Sequence, residues 1–77
     1  MITEIKNKYL IFPVNSLGTV KKMVFRIGGE VVYQLDIKLD NIAPDFYAYI
    51  DVSRFSGKTL DVSINPEMQI IFRVADE

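Results

Sequence analysis

Lys22-Met23-Val24-Phe25-Arg26-Ile27, Gly28-Gly29, then Glu30-Val31-Val32-Tyr33-Gln34-Leu35-Asp36-Ile37-Lys38-Leu39 is the stretch whose reading decides the fold. Before the glycines, Met23, Phe25 and Ile27 alternate with Lys22, Val24 and Arg26. After them, Val31, Tyr33, Leu35, Ile37 and Leu39 alternate with Val32, Gln34, Asp36 and Lys38. Period-two alternation on both sides of a Gly-Gly turn predicts a β-hairpin with one apolar face. A two-residue Gly28-Gly29 turn would pair Ile27 with Glu30 and Phe25 with Val32, setting polar residues of one strand beside apolar residues of the other. Because a one-residue slip turns every side chain to the wrong face, the expected pairs are Ile27 with Val31, Phe25 with Tyr33 and Met23 with Leu35. That register needs a connection of three or five residues. It also sets Lys22 opposite Asp36 and Arg26 opposite Val32 on the outer face.

Seventy-seven residues make one small domain, near the lower limit for a self-sufficient core. Apolar residues are 49% of the chain and include nine aromatics, the five Phe and four Tyr, so a packed core is expected rather than disorder. Net charge is −1 with acids and bases interspersed, which is not the footprint of a nucleic-acid binder or of an anionic-membrane binder. No apolar run approaches membrane-spanning length, and Met1–Lys8 carries no signal-peptide core. The sequence holds no cysteine and no histidine. Disulfides, thiolate metal sites, imidazole ligands and a histidine general base are therefore excluded.

Outward from the hairpin, residues 1–7 read as a flexible lead-in that could add a strand at its end, with a single domain over 8–77. Lys8–Phe12 is a short apolar run expected to stop at Pro13. Asn15-Ser16-Leu17-Gly18 and Asp40–Asp45 are turn chemistry. In Phe46–Val52, Phe46, Ala48, Ile50 and Val52 take one face, and Tyr47, Tyr49 and Asp51 the other. Ser53–Lys58 is a compact connection in which Phe55 is expected to fold back as a plug over the sandwich end. Thr59–Ile64 alternates Leu60, Val62 and Ile64 with Asp61 and Ser63, and Met68–Val74 reads as a last strand with Met68, Ile70, Phe72 and Val74 inward. No stretch of ten residues shows helical periodicity, and turn signals recur at about 8–12 residues. The expectation is an all-β fold, a small antiparallel β-sandwich of six or seven strands, jelly-roll or immunoglobulin-like.

Little in this chain can do covalent chemistry. Asp36, Asp51 and Asp61 project from non-core faces, where paired carboxylates can serve acid–base catalysis or hold calcium. They fall on three separate strands, and a solvated acid is the ordinary occupant of such a position. Ser53, Ser56 and Ser63 have no histidine to activate them, and Gly28-Gly29 leads into a strand rather than a phosphate-cradling helix. No catalytic residue, metal ligand or cofactor is expected.

The aromatics offer more. Tyr47 and Tyr49 share an outward strand face, the arrangement that stacks a sugar ring on an aromatic one, and equally one that packs under a neighbouring loop or domain. Tyr9, Phe12, Phe25, Tyr33, Phe46, Phe55 and Phe72 read as core or core rim. Ile71, between Gln69 and Arg73, makes both faces of the last strand apolar. The surface of Ile71 and Arg73 is thus a candidate docking face, for another domain of the same polypeptide or for a second copy.

Tyr47-Ala-Tyr-Ile-Asp-Val-Ser-Arg-Phe-Ser-Gly-Lys-Thr-Leu-Asp-Val-Ser-Ile64 resembles the accessory domain that precedes the catalytic propeller in bacterial enzymes of glycoside hydrolase family 32, the levanase and inulinase type. Asn7–Pro13 and Val31–Leu39 followed by Asp45-Phe-Tyr are similar to earlier strands of that domain, so the resemblance covers about Lys6 to Ile64. The family's Trp-Met-Asn-Asp-Pro-Asn and Arg-Asp-Pro signatures do not occur in this sequence. The resemblance implies a non-catalytic module of a secreted, periplasmic or cell-surface carbohydrate-degrading enzyme, giving structural support and contact with fructan or another polysaccharide. The rival expectation is an adhesion or protein–protein module with no carbohydrate role.

Overall fold

The computed structural model describes residues 2–70 and 72–76. Seven strands form two antiparallel sheets: β1 (Ile2–Glu4), β2 (Tyr9–Val14), β3 (Lys21–Ile27), β4 (Glu30–Ile37), β5 (Phe46–Asp51), β6 (Thr59–Asn65) and β7 (Arg73–Ala75). One sheet has the order β1-β6-β3-β4 and the other β5-β2-β7. A single 3-10 turn, Ser53–Phe55, joins β5 to β6. The expected all-β sandwich is therefore the observed fold. Its shortest dimension, 16 Å, is that of two stacked sheets.

The hairpin reconciles two registers that the sequence sets in conflict. Gly28 and Gly29 both have positive φ, 59° and 81°, which a two-residue turn of the type that follows strand twist requires. That turn pairs Ile27 with Glu30 and Arg26 with Val31. A bulge between Phe25 and Arg26 then shifts the ladder, so that Phe25 meets Tyr33, Met23 meets Leu35 and Lys22 meets Asp36. The inner pairs are those expected. The expected Ile27–Val31 and Arg26–Val32 pairs are not formed, because one extra residue on β4 absorbs the slip. The bulge also exchanges two valines: Val32 packs against the core, while Val31 is exposed.

Met23 and Phe25 on β3, Phe12 on β2 and Leu60 on β6 are the most completely buried side chains. Leu10, Val14, Leu39, Val52, Val62 and Ile5 complete the buried cluster. Phe12 meets Phe72 edge-on with centroids 6.2 Å apart. Phe55 plugs the sandwich end as expected, its ring edge-on to Tyr33 at 6.3 Å.

Four local expectations are corrected. Ile2–Glu4, within the stretch read as a flexible lead-in, is a strand paired to Thr59–Asp61. It is held because Ile5 enters the core and its backbone bonds to Lys58 and Gly57. Pro13 does not end its strand. The β7 ladder stops at Ile11, and beyond it that side of β2 meets only an isolated bridge from Val14 to Leu39, where Pro13 accepts from the Asp40 amide through its carbonyl and no donor is required of it. The last strand is three residues rather than seven. The chain must cross from one sheet to the other after β6, and a segment spanning about 10 Å between sheets cannot pair in either. Met68, Ile70 and Phe72 still pack on the core from that crossing, but Val74 is exposed. Finally, Phe46 at the start of β5 is half exposed rather than core.

Truncating a wholly buried ring leaves a cavity, whereas an exposed valine on the bulge has little to lose. Phe25→Ala is expected to lower unfolding stability by about 3–5 kcal/mol. Val31→Ala should change it by less than about 0.5 kcal/mol. Denaturant midpoints read both; equal losses would mean that the bulge does not place Val31 outside.

Candidate functional site

The outer face of the β5-β2-β7 sheet gathers the aromatic residues. Along β2, Leu10, Phe12 and Val14 point to the core, so Tyr9, Ile11 and Pro13 lie on the other face, Tyr9 and Ile11 half-buried and Pro13 buried there. The register sets Tyr47 opposite Pro13, Tyr49 opposite Ile11 and Asp51 opposite Tyr9. On the other side of β2, Arg73 lies opposite Ile11 and Ala75 opposite Tyr9. One row thus runs Tyr49, Ile11, Arg73, with Tyr47 and Pro13 on one flank and Asp51, Tyr9 and Ala75 on the other.

Tyr49 is the most accessible ring, 68% exposed, and meets Tyr9 edge-on with centroids 5.3 Å apart. Tyr47 is 43% exposed, and the Arg73 guanidinium lies 4.6 Å over its ring. The Lys8 ammonium sits 5.2 Å over Tyr9. A cation held over an aromatic face is attracted by the ring quadrupole and fixes both side chains. The face therefore presents an exposed ring (Tyr49), a ring edge-on to it that is capped by Lys8 (Tyr9) and a ring capped by Arg73 (Tyr47).

Asp51 borders this face with one carboxylate oxygen, Oδ1, engaged by Ser53. Its carboxylate accepts from the Ser53 hydroxyl at 2.6 Å and the Ser53 amide at 2.9 Å. These two bonds, with the charges of Lys8 and Arg54, hold its carboxyl below the ordinary carboxylate range against a smaller desolvation effect. Asp36 and Asp61 lie elsewhere, on β4 and β6, which flank β3 in the other sheet. Lys22 faces Asp36 and Arg26 faces Asp61 across the strands. The three acids are not brought together, and no cluster of metal-ligating side chains occurs among the described residues.

A cleft of about 250 Å³ opens between β1 and β7, with Ile5, Leu10, Leu60 and Phe72 among its lining residues. Its floor is apolar core, and its polar side chains, such as Glu4 and Asn7, come from the edge segment.

Three of the four residues singled out in the sequence, Tyr47, Tyr49 and Arg73, meet on one face. The fourth, Ile71, lies outside the described residues. Tyr9, which the sequence reads as core or core rim without marking its outward face, joins the other three on that face. An unbroken run such as Tyr-Leu-Ile-Phe has no alternation to show which side faces out, and the partner strands supply that information. No family model matches the chain, and no curated protein or solved structure matches it either.

Asp51's lowered pKa implies a pH-dependent contribution from its bonds to Ser53. A carboxyl depressed in the folded state adds stability above its unfolded value, 3.8, and loses it as pH falls through the folded value. Ser53→Ala should raise the Asp51 midpoint toward 3.8 in a carboxyl-carbon NMR titration. The stability difference between variant and parent should be present at neutral pH and vanish below the Asp51 midpoint. An unmoved midpoint would mean that Ser53 does not hold this carboxylate.

Proposed function

We propose that the chain is a non-catalytic carbohydrate-contacting module, and that Tyr49, Tyr9 and Tyr47 on the outer face of the three-stranded sheet form its contact surface. The observation that carries this reading is the exposed Tyr49 ring, braced edge-on by Tyr9 and flanked by Arg73 over Tyr47. A rigid ring with an apolar face fits the apolar face of a pyranose or furanose, and the phenol hydroxyls and guanidinium supply donors for sugar hydroxyls at the rim. Bracing matters because a ring that is already ordered loses little entropy when the ligand arrives.

The resemblance to the domain preceding the family 32 propeller suggests fructan as the sugar, with the catalytic domain of a longer, exported polypeptide as a covalent neighbour. On this reading the chain gives support and substrate contact while hydrolysis occurs elsewhere. A flat surface of two or three rings is suited to weak binding. About −4 kcal/mol corresponds to a Kd near 1 mM.

The rival reading is a protein-docking face without a carbohydrate role. Tyr and Arg are also the residues that anchor protein interfaces, and Arg73 over Tyr47 already resembles such an anchor.

Levan- and inulin-type oligosaccharides titrated to about 10 mM should shift the ring resonances of Tyr49 and Tyr9 in a saturable way. Tyr49→Ala should weaken binding at least about fivefold while the core methyl resonances stay in place. Absence of any shift with fructan or with other neutral oligosaccharides would remove the carbohydrate reading and leave the docking face.

A further inference from the structure

The strand β4 ends the four-stranded sheet with one side unpaired. At eight residues it is the longest strand described. Natural sheets blunt such edges with proline, charged side chains, bulges or a covering loop, or make them very short, and on β4 the bulge is confined to the turn end. The sheet's other edge, β1, has three residues. Glu30–Ile37 contains no proline and no lysine, and its inward residues beyond the bulge are Tyr33, Leu35 and Ile37, which pack on the core. The bulge irregularity lies where Phe25 gives way to Arg26, so Tyr33–Ile37 remains a regular five-residue ladder. Among the described residues, no loop donates a backbone hydrogen bond to Gln34 or Asp36.

We propose that this edge is a self-pairing surface, and that two copies of the chain join antiparallel along β4 about a two-fold axis at Leu35. The choice of a second copy follows from the strand's own complementarity. With Leu35 on the axis, Tyr33 meets Ile37 of the second copy and Leu35 meets Leu35, three apolar contacts in the inner row. In the outer row Gln34 meets Asp36 twice, an amide donor against a carboxylate acceptor. Centring on Gln34 sets Asp36 against Val32 and runs into the bulge. Centring on Tyr33 opposes Glu30 with Asp36, two like charges, and also crosses the bulge. Registers displaced by one residue would bring inward side chains against outward ones. Leu35 is thus the centre that uses the whole regular segment without a charge conflict. Continuing one sheet across the axis satisfies the edge N–H and C=O groups of both copies at once. Five residues a side make a small interface, in the range of transient association.

The test uses Gln34, whose side chain is exposed, so that substitution leaves the core untouched. Sedimentation equilibrium from about 10 to 500 μM should show a reversible monomer–dimer transition for the parent, as a small interface implies. Gln34→Lys, which faces Asp36 of the second copy, should tighten the dimer about threefold to tenfold, and Gln34→Asp should weaken it by a similar factor. Because the chain has no cysteine, nitroxides on Gln34→Cys and on Glu30→Cys report the register separately. At about 3.4 Å per residue, the backbones at position 34 are offset by about 7 Å along the strands and those at position 30 by about 34 Å. Short label distances at 34 with long ones at 30 support the pairing. A parent that stays monomeric throughout, charge variants that shift association in the same direction, or the reverse order of distances would overturn it.

Discussion

Met23 and Phe25 are excluded from water by strands on both sides of β3 and by the opposite sheet above it. Because β3 is paired to β4 through the hairpin and to β6 through a long-range ladder, these two side chains must sit at fixed heights in both pairings. Phe25 faces Tyr33 on one side and Val62 on the other, and Met23 faces Leu35 and Ile64. Moving β3 by one residue would replace two buried apolar side chains by Val24 and a charged neighbour. The bulge in the hairpin follows from this constraint. The glycine turn sets one register and the core demands another, and a single extra residue on β4 is the least disruptive way to have both.

The chain changes sheet at nearly every connection, and those crossings shape the ends of the molecule. At one end, Asn15 donates to the Ala43 carbonyl at 2.7 Å and Asp45 accepts from the Ser16 amide and hydroxyl, locking two loops together. The Ser16 hydroxyl is the main reason that the Asp45 carboxyl lies below its ordinary range. At the other end, Phe55 closes the sandwich against Tyr33, whose hydroxyl donates to the Asp51 carbonyl at 3.0 Å. The Ser53–Asp51 bonds that fix this connection also border the tyrosine face, so the turn and the proposed contact surface meet at Asp51.

The proposed site and the proposed self-pairing edge use different properties of a small sandwich. The outer face of the three-stranded sheet is not needed for the core, so rings can stand on it at little structural cost and be ordered by one another and by Arg73. The β4 edge belongs to the other sheet. Pairing along it would leave the tyrosine face open, and a dimer would then carry two such faces. Two weak contacts on one ligand chain act together through effective concentration, which suits a repetitive polymer.

The alternating segments alone determined which side chains of β3, β5 and β6 face inward, because a charged or polar residue at every second position leaves one face for the core. The pairing of Phe25 with Tyr33 and Lys22 with Asp36 was legible for the same reason, as was the shared face of Tyr47 and Tyr49. Only the tertiary structure decided the remainder. Tyr9, Ile11 and Pro13 sit in a run with no polar residue to mark its outer side, and their direction comes from pairing with β5 and β7. Residues 2–4 have no local drive to form a strand and acquire one from the free edge of β6. The last strand is short because the chain must first cross between sheets, a requirement set by sheet order rather than by Met68–Val74 itself. Arg73 reaches Tyr47 through a strand pairing that spans more than sixty residues of sequence. Period-two patterning is a local property of the chain, while strand order and edge exposure arise from contacts between distant segments.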